Sequence, residues 1–405
     1  MSDSLNTAVA RHLKVLSEQI GARPASTPAN RAAAEYIAAE MRRIGLEVEL
    51  QPLACPNWRC LSETLTLDGE ALAVLANPFS PACDVRAPFT AVCTLAELEH
   101  ADLSGRIALI YGELTRQPLA AKSWFLSTPD DLRVVNLLEQ KAPLAVLAVQ
   151  ALPGSTNRLV EDWEFTLPSA TLPAESGLAL LTHPESTLHL RLETEQQPGE
   201  TRNVVGRRAG SRPETAVACA HFDTKYDTPG ASDNAAGVAA LLALAERLQT
   251  ERLDCGLEYV AFTNEEYLPI GEDAYIPAAG EGHFERLLLA INFDGLGHRL
   301  DALTLASFTC SPEFQTRLEQ LSSIHPGVQW IEPWPESNHS SFAMRGVPAL
   351  AFSGQAVRTW AHQRCDALRW VNPSTVLEAA ELSAGILRDV QSQPLAWLRP
   401  VESNA

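Results

Sequence analysis

Residues 216–237 read AVACAHFDTKYDTPGASDNAAG, and this stretch decides the fold. An apolar, partly β-branched run ends in His221-Phe222-Asp223. A turn rich in proline and glycine follows, then Asp233-Asn234, then a helix rich in alanine and leucine. Histidine and aspartate placed where a buried strand gives way to a helix are well located to hold a metal. In open α/β sheets, ligands collect outside the carboxyl ends of the strands.

Outward from there, strands and helices alternate from Thr201 onward, the pattern of a mainly parallel sheet. Strands are expected at 216–222, 257–263, 287–293 and 347–353, and helices at 235–250, 312–323 and 374–392. Upstream, Leu5, Val9, Leu13 and Leu16 share one face and predict a helix over 5–22. After the GARPASTPAN loop a second helix is expected over 28–45, and Glu47–Leu50 alternates like a strand. Between about 56 and 197 the character changes. Short strands at 64–66, 107–111, 145–148 and 187–192 and a helix near 129–140 are separated by turns, with no dense cluster of acids and histidines. The expected organisation is an α/β domain formed by 1–55 and 198–395, with a smaller β-rich domain inserted at 56–197. The competing reading makes the insert an elaborated edge of the main domain. The tail beyond 395 is expected to fray.

The chain has 405 residues, 46% of them apolar, with its charge dispersed, so it has the material for a large core. Fifty acidic against 31 basic residues give a formal charge of −19, which argues against nucleic acid or an anionic membrane as a partner. Eight cysteines show no CxxC-type pair; Cys55 and Cys60 are close enough in sequence to bridge, but a chain of this size needs no disulfide to fold. The N-terminal MSDSLNTAVARHLKVL lacks the basic-then-apolar form of a leader, and the longest apolar run, 142–152, is too short to span a bilayer. A cytoplasmic location is expected.

Three of the four strands finish in a potential ligand. The first ends at His221 and Asp223, the second at Glu265-Glu266, the third at Asp294. Asp233 precedes a helix, and His362 lies in the polar loop TWAHQRCD after the fourth strand. In a parallel sheet these positions converge on one edge. Two histidines and several carboxylates without cysteine suit zinc, cobalt or manganese at a hydrolytic site. Each residue also has a bland reading. A histidine ending a strand is often a satisfied core residue, a Glu-Glu pair is usually solvated, and an aspartate before a helix is most often its cap. Those readings weaken together, because chance seldom places all of them at consecutive strand ends.

Taken in order, HFD, the later Asp-Asn, NEE after a strand, NFDG, SNHSSF and a late histidine resemble the M28 family of zinc peptidases. The resemblance covers roughly 200–395, and the first 55 residues resemble the family's leading helices. The insert, with SGRIALIYG and KAPLAVLAV, is similar to a protease-associated domain. The resemblance implies a zinc-exopeptidase-like fold, a peptide substrate and two Zn²⁺ ions, with Co²⁺ or Mn²⁺ as alternatives. His221, Asp233 and Asp294 would hold one ion, and Asp233, Glu266 and His362 the other, with Asp233 shared. Glu265 is then expected to be the general base, and Asp223 to orient the His221 imidazole. Glu265 and Glu266 are expected on extended backbone, pointing to opposite sides.

Several positions depart from the family pattern. Its SDH reads Ser337-Asn338-His339, Tyr267–Gly271 replaces the small residues after the glutamate pair, and no tyrosine follows Tyr275. His339, Arg358 or Arg364 are candidates to steady an oxyanion in its place. Trp330, Trp334 and Trp360 are candidates for a substrate pocket or for core packing. The expected activity is removal of N-terminal residues. Alternatives are a dipeptidase, carboxypeptidase or amide deacylase on the same site, and a non-catalytic binding protein on a peptidase scaffold. The M20 type is disfavoured by the short stretch between Asp294 and His362, and a single-zinc glutaminyl cyclase by the full set of ligands.

Overall fold

A computed structural model describes residues 2–124 and 126–400; the side chains of residues 2, 3, 358 and 360 lie outside that description. The chain divides into two compact units, Met1–Ala54 with Glu200–Ala405, and Cys55–Gly199. It leaves the first through the strand Glu47–Leu67 and returns through Thr187–Arg208, so the expected short strands 47–50, 64–66 and 187–192 are parts of two long ones.

The first unit is built on a mixed, mainly parallel sheet. Its order is Val328–Trp330, Leu303–Phe308, Ala349–Gly354, Leu287–Phe293, Thr215–His221, Gly256–Phe262, and the end of Thr187–Arg208. The four central strands, Ala349–Gly354 to Gly256–Phe262, are parallel to one another. They are buried along their whole length, or all but their first residue, which is why they read as mainly apolar runs. Register does the positioning. His221 lies level with Phe262, and Cys219 with Asn292, which carries Asp294 level with His221.

The helix Gly237–Leu248 covers this sheet and packs against Ser2–Lys14 and Pro373–Val390. All but two of its twelve residues are buried, and its alanines permit that close approach. Three surrounding helices start as their sequences dictate, each with a side-chain cap and proline in the first turn: Thr27 before Pro28, Ser311 before Pro312, Asn372 before Pro373. Gly237 itself has ordinary helical dihedrals, but a Cβ there would lie 2.3 Å from the Phe293 carbonyl oxygen and 2.2 Å from Asn234 Oδ1. Gly237→Ala is therefore expected to destabilise the protein by about 1–3 kcal/mol despite alanine's better helix propensity. Urea unfolding measures this, and an unchanged midpoint would show that the contact relaxes freely.

Several expectations change. The first helix is Ser2–Lys14, continued by a wider turn over Val15–Ile20. Two further strands, Leu303–Phe308 and Val328–Trp330, lie at the sheet's edge, parallel to each other and joined by the helix Pro312–Ser322, and the helix Ile270–Ala279 was not foreseen. Beyond 395 the chain does not fray at once: Leu395–Leu398 is helical and Leu398 is buried. Ser311 fixes it, donating from its amide to the Leu398 carbonyl and from its hydroxyl to that of Trp397.

The second unit carries helices as well as strands. Cys83–Val92, Ile107–Ile110, Ala145–Val149 and Ser169–Leu172 form a parallel run, with Leu75–Ala76 antiparallel at its end. Leu95–His100 opens on a full capping box between Thr94 and Glu97. Leu98 joins Val135 and Leu138 of Arg133–Lys141 in a core with Ala108, Ile110, Val146 and Ala148. All eight cysteines are free thiols, Cys55 and Cys60 included. Among the described residues, no helix is long and apolar enough to cross a membrane.

Candidate metal centre

Outside the carboxyl ends of the central strands, the fold gathers His221, Asp233 and Asp294 into one cluster and Asp233, Glu266 and His362 into another, each with donor atoms within 4.8 Å of one another. His221 Nε2 faces Asp233 Oδ1 at 3.1 Å, Asp294 Oδ1 at 3.2 Å and Glu265 Oε2 at 3.8 Å. His362 Nε2 faces Asp233 Oδ2 at 3.2 Å and Glu266 Oε2 at 3.1 Å. Asp233 thus turns one oxygen to each cluster.

The local chain explains why Asp233 is free to do so. Asp233 and Asn234 break from helical dihedrals. Asn234, not Asp233, serves the helix start, its Oδ1 accepting from the Gly237 amide while its Nδ2 donates to the Phe293 carbonyl. The Asp233 backbone is held from behind. Buried Asp366 accepts from the Ser232 amide at 2.8 Å and from the Asp233 amide at 3.0 Å. Burial pushes the Asp366 carboxyl up to about 7, against the pull of those two amides. The sequence reading missed Asp366, although it lies in the same TWAHQRCD loop as His362.

Glu265 and Glu266 are not on extended backbone. The strand ends at Phe262, Asn264 has a positive φ of 60°, and both glutamates sit in the turn that follows. What sets their directions is Asp223: Oδ1 accepts from the Glu265 amide at 3.2 Å and Oδ2 from the Glu266 amide at 3.3 Å. The same carboxylate lies 3.5 Å from His221 Nδ1, an ion-pair distance at the outer limit of hydrogen bonding. Lys225, also unforeseen, donates from its amide to Glu266 Oε1 and from its ammonium to the Glu266 carbonyl, leaving Oε2 to the cluster. Its ammonium lies 4.4 Å above the Tyr267 ring.

Charge in this small buried volume is strongly unbalanced. Desolvation lowers the basicity of both imidazoles, although the His362 side chain is 43% exposed, yet the Glu265 and Asp294 carboxylates hold His221, and Glu266 and Asp233 hold His362, well above the ordinary histidine range. Burial raises Asp233, but the two imidazoles that face its oxygens carry it below the usual carboxylate range. Glu265 is pushed well above that range by burial and by the neighbouring Asp294, Glu266 and Asp223. Glu266 is raised by burial and by Asp233.

The donor set fits metal ions. A single ring nitrogen cannot donate to two carboxylates at once, yet each histidine faces two, and the buried Asp233 Oδ1 has no hydrogen-bond partner. Ligands bound about 2.0–2.2 Å from a tetrahedral zinc lie about 3.3–3.6 Å apart. The separations of 3.1 and 3.2 Å come close to that. Nitrogen and oxygen donors without sulfur leave cobalt and manganese open beside zinc.

The remaining candidates lie elsewhere. His339 is buried between Phe308 and Trp334, and its Nε2 pairs with the Trp334 carbonyl at 2.7 Å, so it cannot meet an oxyanion. Arg364 is exposed and paired with Asp227. Trp334 packs on His339; Trp330 donates to Ser322 and lines a hollow with Ser307, Gln315 and Glu332, away from every cluster residue. The expectations for Arg358 and Trp360 fall on side chains outside the described residues.

Asn338, where the family pattern has aspartate, donates at 2.5 Å to Glu272 Oε1; both side chains are buried. Burial pushes Glu272 up to about 7 from its ordinary 4.5. A carboxyl raised in the folded state contributes fully below the ordinary value and loses that contribution as pH climbs towards 7. Glu272→Gln is expected to be more stable than the native chain at pH 8 by about 1–3 kcal/mol and equal to it near pH 4. Urea midpoints at the two pH values test this; equal midpoints at pH 8 would mean that Glu272 is charged without penalty.

A mainly parallel α/β sheet with imidazoles and carboxylates collected outside its strand ends is zinc-exopeptidase architecture. Residues 203–387 match the model of peptidase family M28. The chain is 28% identical over 386 residues to the aminopeptidase YwaD of Bacillus subtilis, covering 91% of this chain and 81% of that one. The fold is shared with a zinc aminopeptidase from Bacillus subtilis (TM-score 0.79, 20% identity, 97% and 98% of the two chains). It is also shared with an aminopeptidase from Aneurinibacillus sp. strain AM-1 (TM-score 0.76, 22% identity, 98% and 95%). The chain is thus similar to peptidase family M28 over residues 203–387 and to aminopeptidases over most of its length.

Proposed function

We propose that this protein is a zinc-dependent aminopeptidase that removes residues from the free amino terminus of peptides. The observation that carries the reading is the pair of clusters sharing Asp233, with a further carboxylate, Glu265, beside them and in neither. In this reading His221, Asp233 and Asp294 hold one ion and Asp233, Glu266 and His362 a second. When bound, the ions polarise the scissile carbonyl and lower the pKa of the attacking water. Glu265 accepts that water's proton and delivers it to the leaving amine. Asp223 fixes the direction of both glutamates through their amides and lies beside the His221 imidazole. The aminopeptidase names of the relatives support the choice of polarity. The free thiols are compatible with the cytoplasmic location included in this reading.

The test is mass-spectrometric digestion of a mixed peptide pool, half of it with blocked amino termini, with and without chelator and with zinc added back. The expected result is stepwise loss of N-terminal residues from unblocked peptides alone, abolished by chelator and restored by zinc. Trimming from the other end would make the protein a carboxypeptidase, and release from blocked substrates a deacylase. No metal-dependent change in any peptide would leave a binding protein on a peptidase scaffold.

A further inference from the structure

Arg23 stands in the loop between Val15–Ile20 and Pro28–Arg43 and is fully buried. Its guanidinium spends its donors on backbone: Nε reaches the Phe222 carbonyl at 2.6 Å, Nη1 those of Pro229, Gly21 and Leu16 at 2.9, 3.2 and 3.3 Å, and Nη2 that of Gly230 at 3.0 Å. The residue is itself anchored at both ends of its peptide unit. Its amide donates to Thr224 Oγ1 at 2.9 Å, and its carbonyl accepts from Asn30 Nδ2 at 3.2 Å.

Three of the five acceptors belong to one loop, and their places in it are informative. Phe222 follows His221 directly, and Pro229 and Gly230 come just before the Ser232-Asp233 turn. One rigid, planar fork therefore spans the two ends of the segment that separates the first metal-ligand candidate from the shared one. Arginine suits this task because its donors are fixed in a plane, whereas a lysine ammonium offers one point of attachment. A positive charge at this depth is also favoured by the field of the Asp223, Asp366, Asp233 and Glu266 carboxylates.

We infer that Arg23 is a positioning residue for the metal centre: it sets the separation of His221 from Asp233 by clamping the loop between them. The inference rests on the reading of the clusters as a metal site. Its direct consequence is that Arg23→Lys, which keeps the charge and loses the fork, folds but binds zinc poorly.

The experiment uses the full chain and three readouts: zinc dissociation constants by chelator competition, the visible spectrum of the cobalt-loaded protein, and amide hydrogen exchange over 222–230. Leu244→Ala, a core substitution in the buried Gly237–Leu248 helix, serves as a control for lost stability. Arg23→Lys is expected to weaken zinc binding at least tenfold, to alter the cobalt spectrum, and to speed exchange over 222–230; Leu244→Ala leaves the cobalt spectrum unchanged. Should Arg23→Lys not fold, Thr224→Val, which removes only the anchor of the Arg23 amide, is expected to move the same readouts less far. Zinc affinity within twofold of the native chain, with an unchanged cobalt spectrum, would overturn the inference. If the native chain itself binds no zinc, the metal reading fails alone, and hydrogen exchange still decides the clamp: unchanged exchange in Arg23→Lys sinks it.

Discussion

Glu265→Gln is expected to retain the native zinc content and to lose turnover by about 10²–10⁴-fold, the contribution typical of a positioned general base. The two halves of that expectation come from different observations. Zinc content should persist because Glu265 belongs to neither cluster; its Oε2 lies 3.8 Å from His221 Nε2, farther than the 3.1–3.2 Å at which the two histidines face the cluster carboxylates. The turn that carries it should persist because Asp223 holds it through the Glu265 amide, which the substitution leaves intact. Turnover should fall because an amide of the same shape cannot accept the proton. Zinc per chain by elemental mass spectrometry and kcat on an unblocked peptide separate the outcomes. Full zinc with near-native turnover would remove Glu265 from the chemistry, and a lost ion would make it a ligand.

Much of this arrangement was legible because buried parallel strands announce themselves. Thr215–His221, Gly256–Phe262 and Leu287–Phe293 are buried, mainly apolar runs broken inside only by Glu258 and Asn292, so acids gathered just past their ends are conspicuous. Parallel register then brings those ends together without further information. The residues that hold the ligands in place carry no such signal. Asp366 lies in a loop without periodicity, and its bonds are to the amides of Ser232 and Asp233, far from it in sequence. Arg23 looks like any arginine in a Pro-rich loop until the structure buries it. The turn at Glu265-Glu266 was hidden for a different reason. LEYVAFTNEE has the β-branched and aromatic content of a strand up to its last residues, and the positive φ at Asn264 is what ends it. His339 misleads in the opposite sense: a histidine in a family motif is packed in the core, tilted against Phe308 and edge-on to Trp334.

Asp233→Asn should be more damaging to metal binding than the loss of any other single ligand, because it touches both clusters. Oδ1 faces His221 and Oδ2 faces His362, each within 3.2 Å. Removing Asp294 or Glu266 strips one cluster and leaves the other with its three donors; neutralising Asp233 weakens both. A partner one step out from a metal ligand is worth about 10–100-fold in affinity, so the shared ligand should cost at least about 100-fold at each site. Thermal unfolding reads this without any substrate. Zinc at about 100 times its dissociation constant should add about 2.7 kcal/mol per site to the native chain. The same concentration should add well under 1 kcal/mol to Asp233→Asn. The amides of Ser232 and Asp233 still reach Asp366 in the variant, so the loop keeps its anchor and the loss reports on the carboxylate itself. Zinc stabilisation equal to that of the native chain would show that the clusters do not meet at Asp233, and the shared-ligand geometry would have to be abandoned.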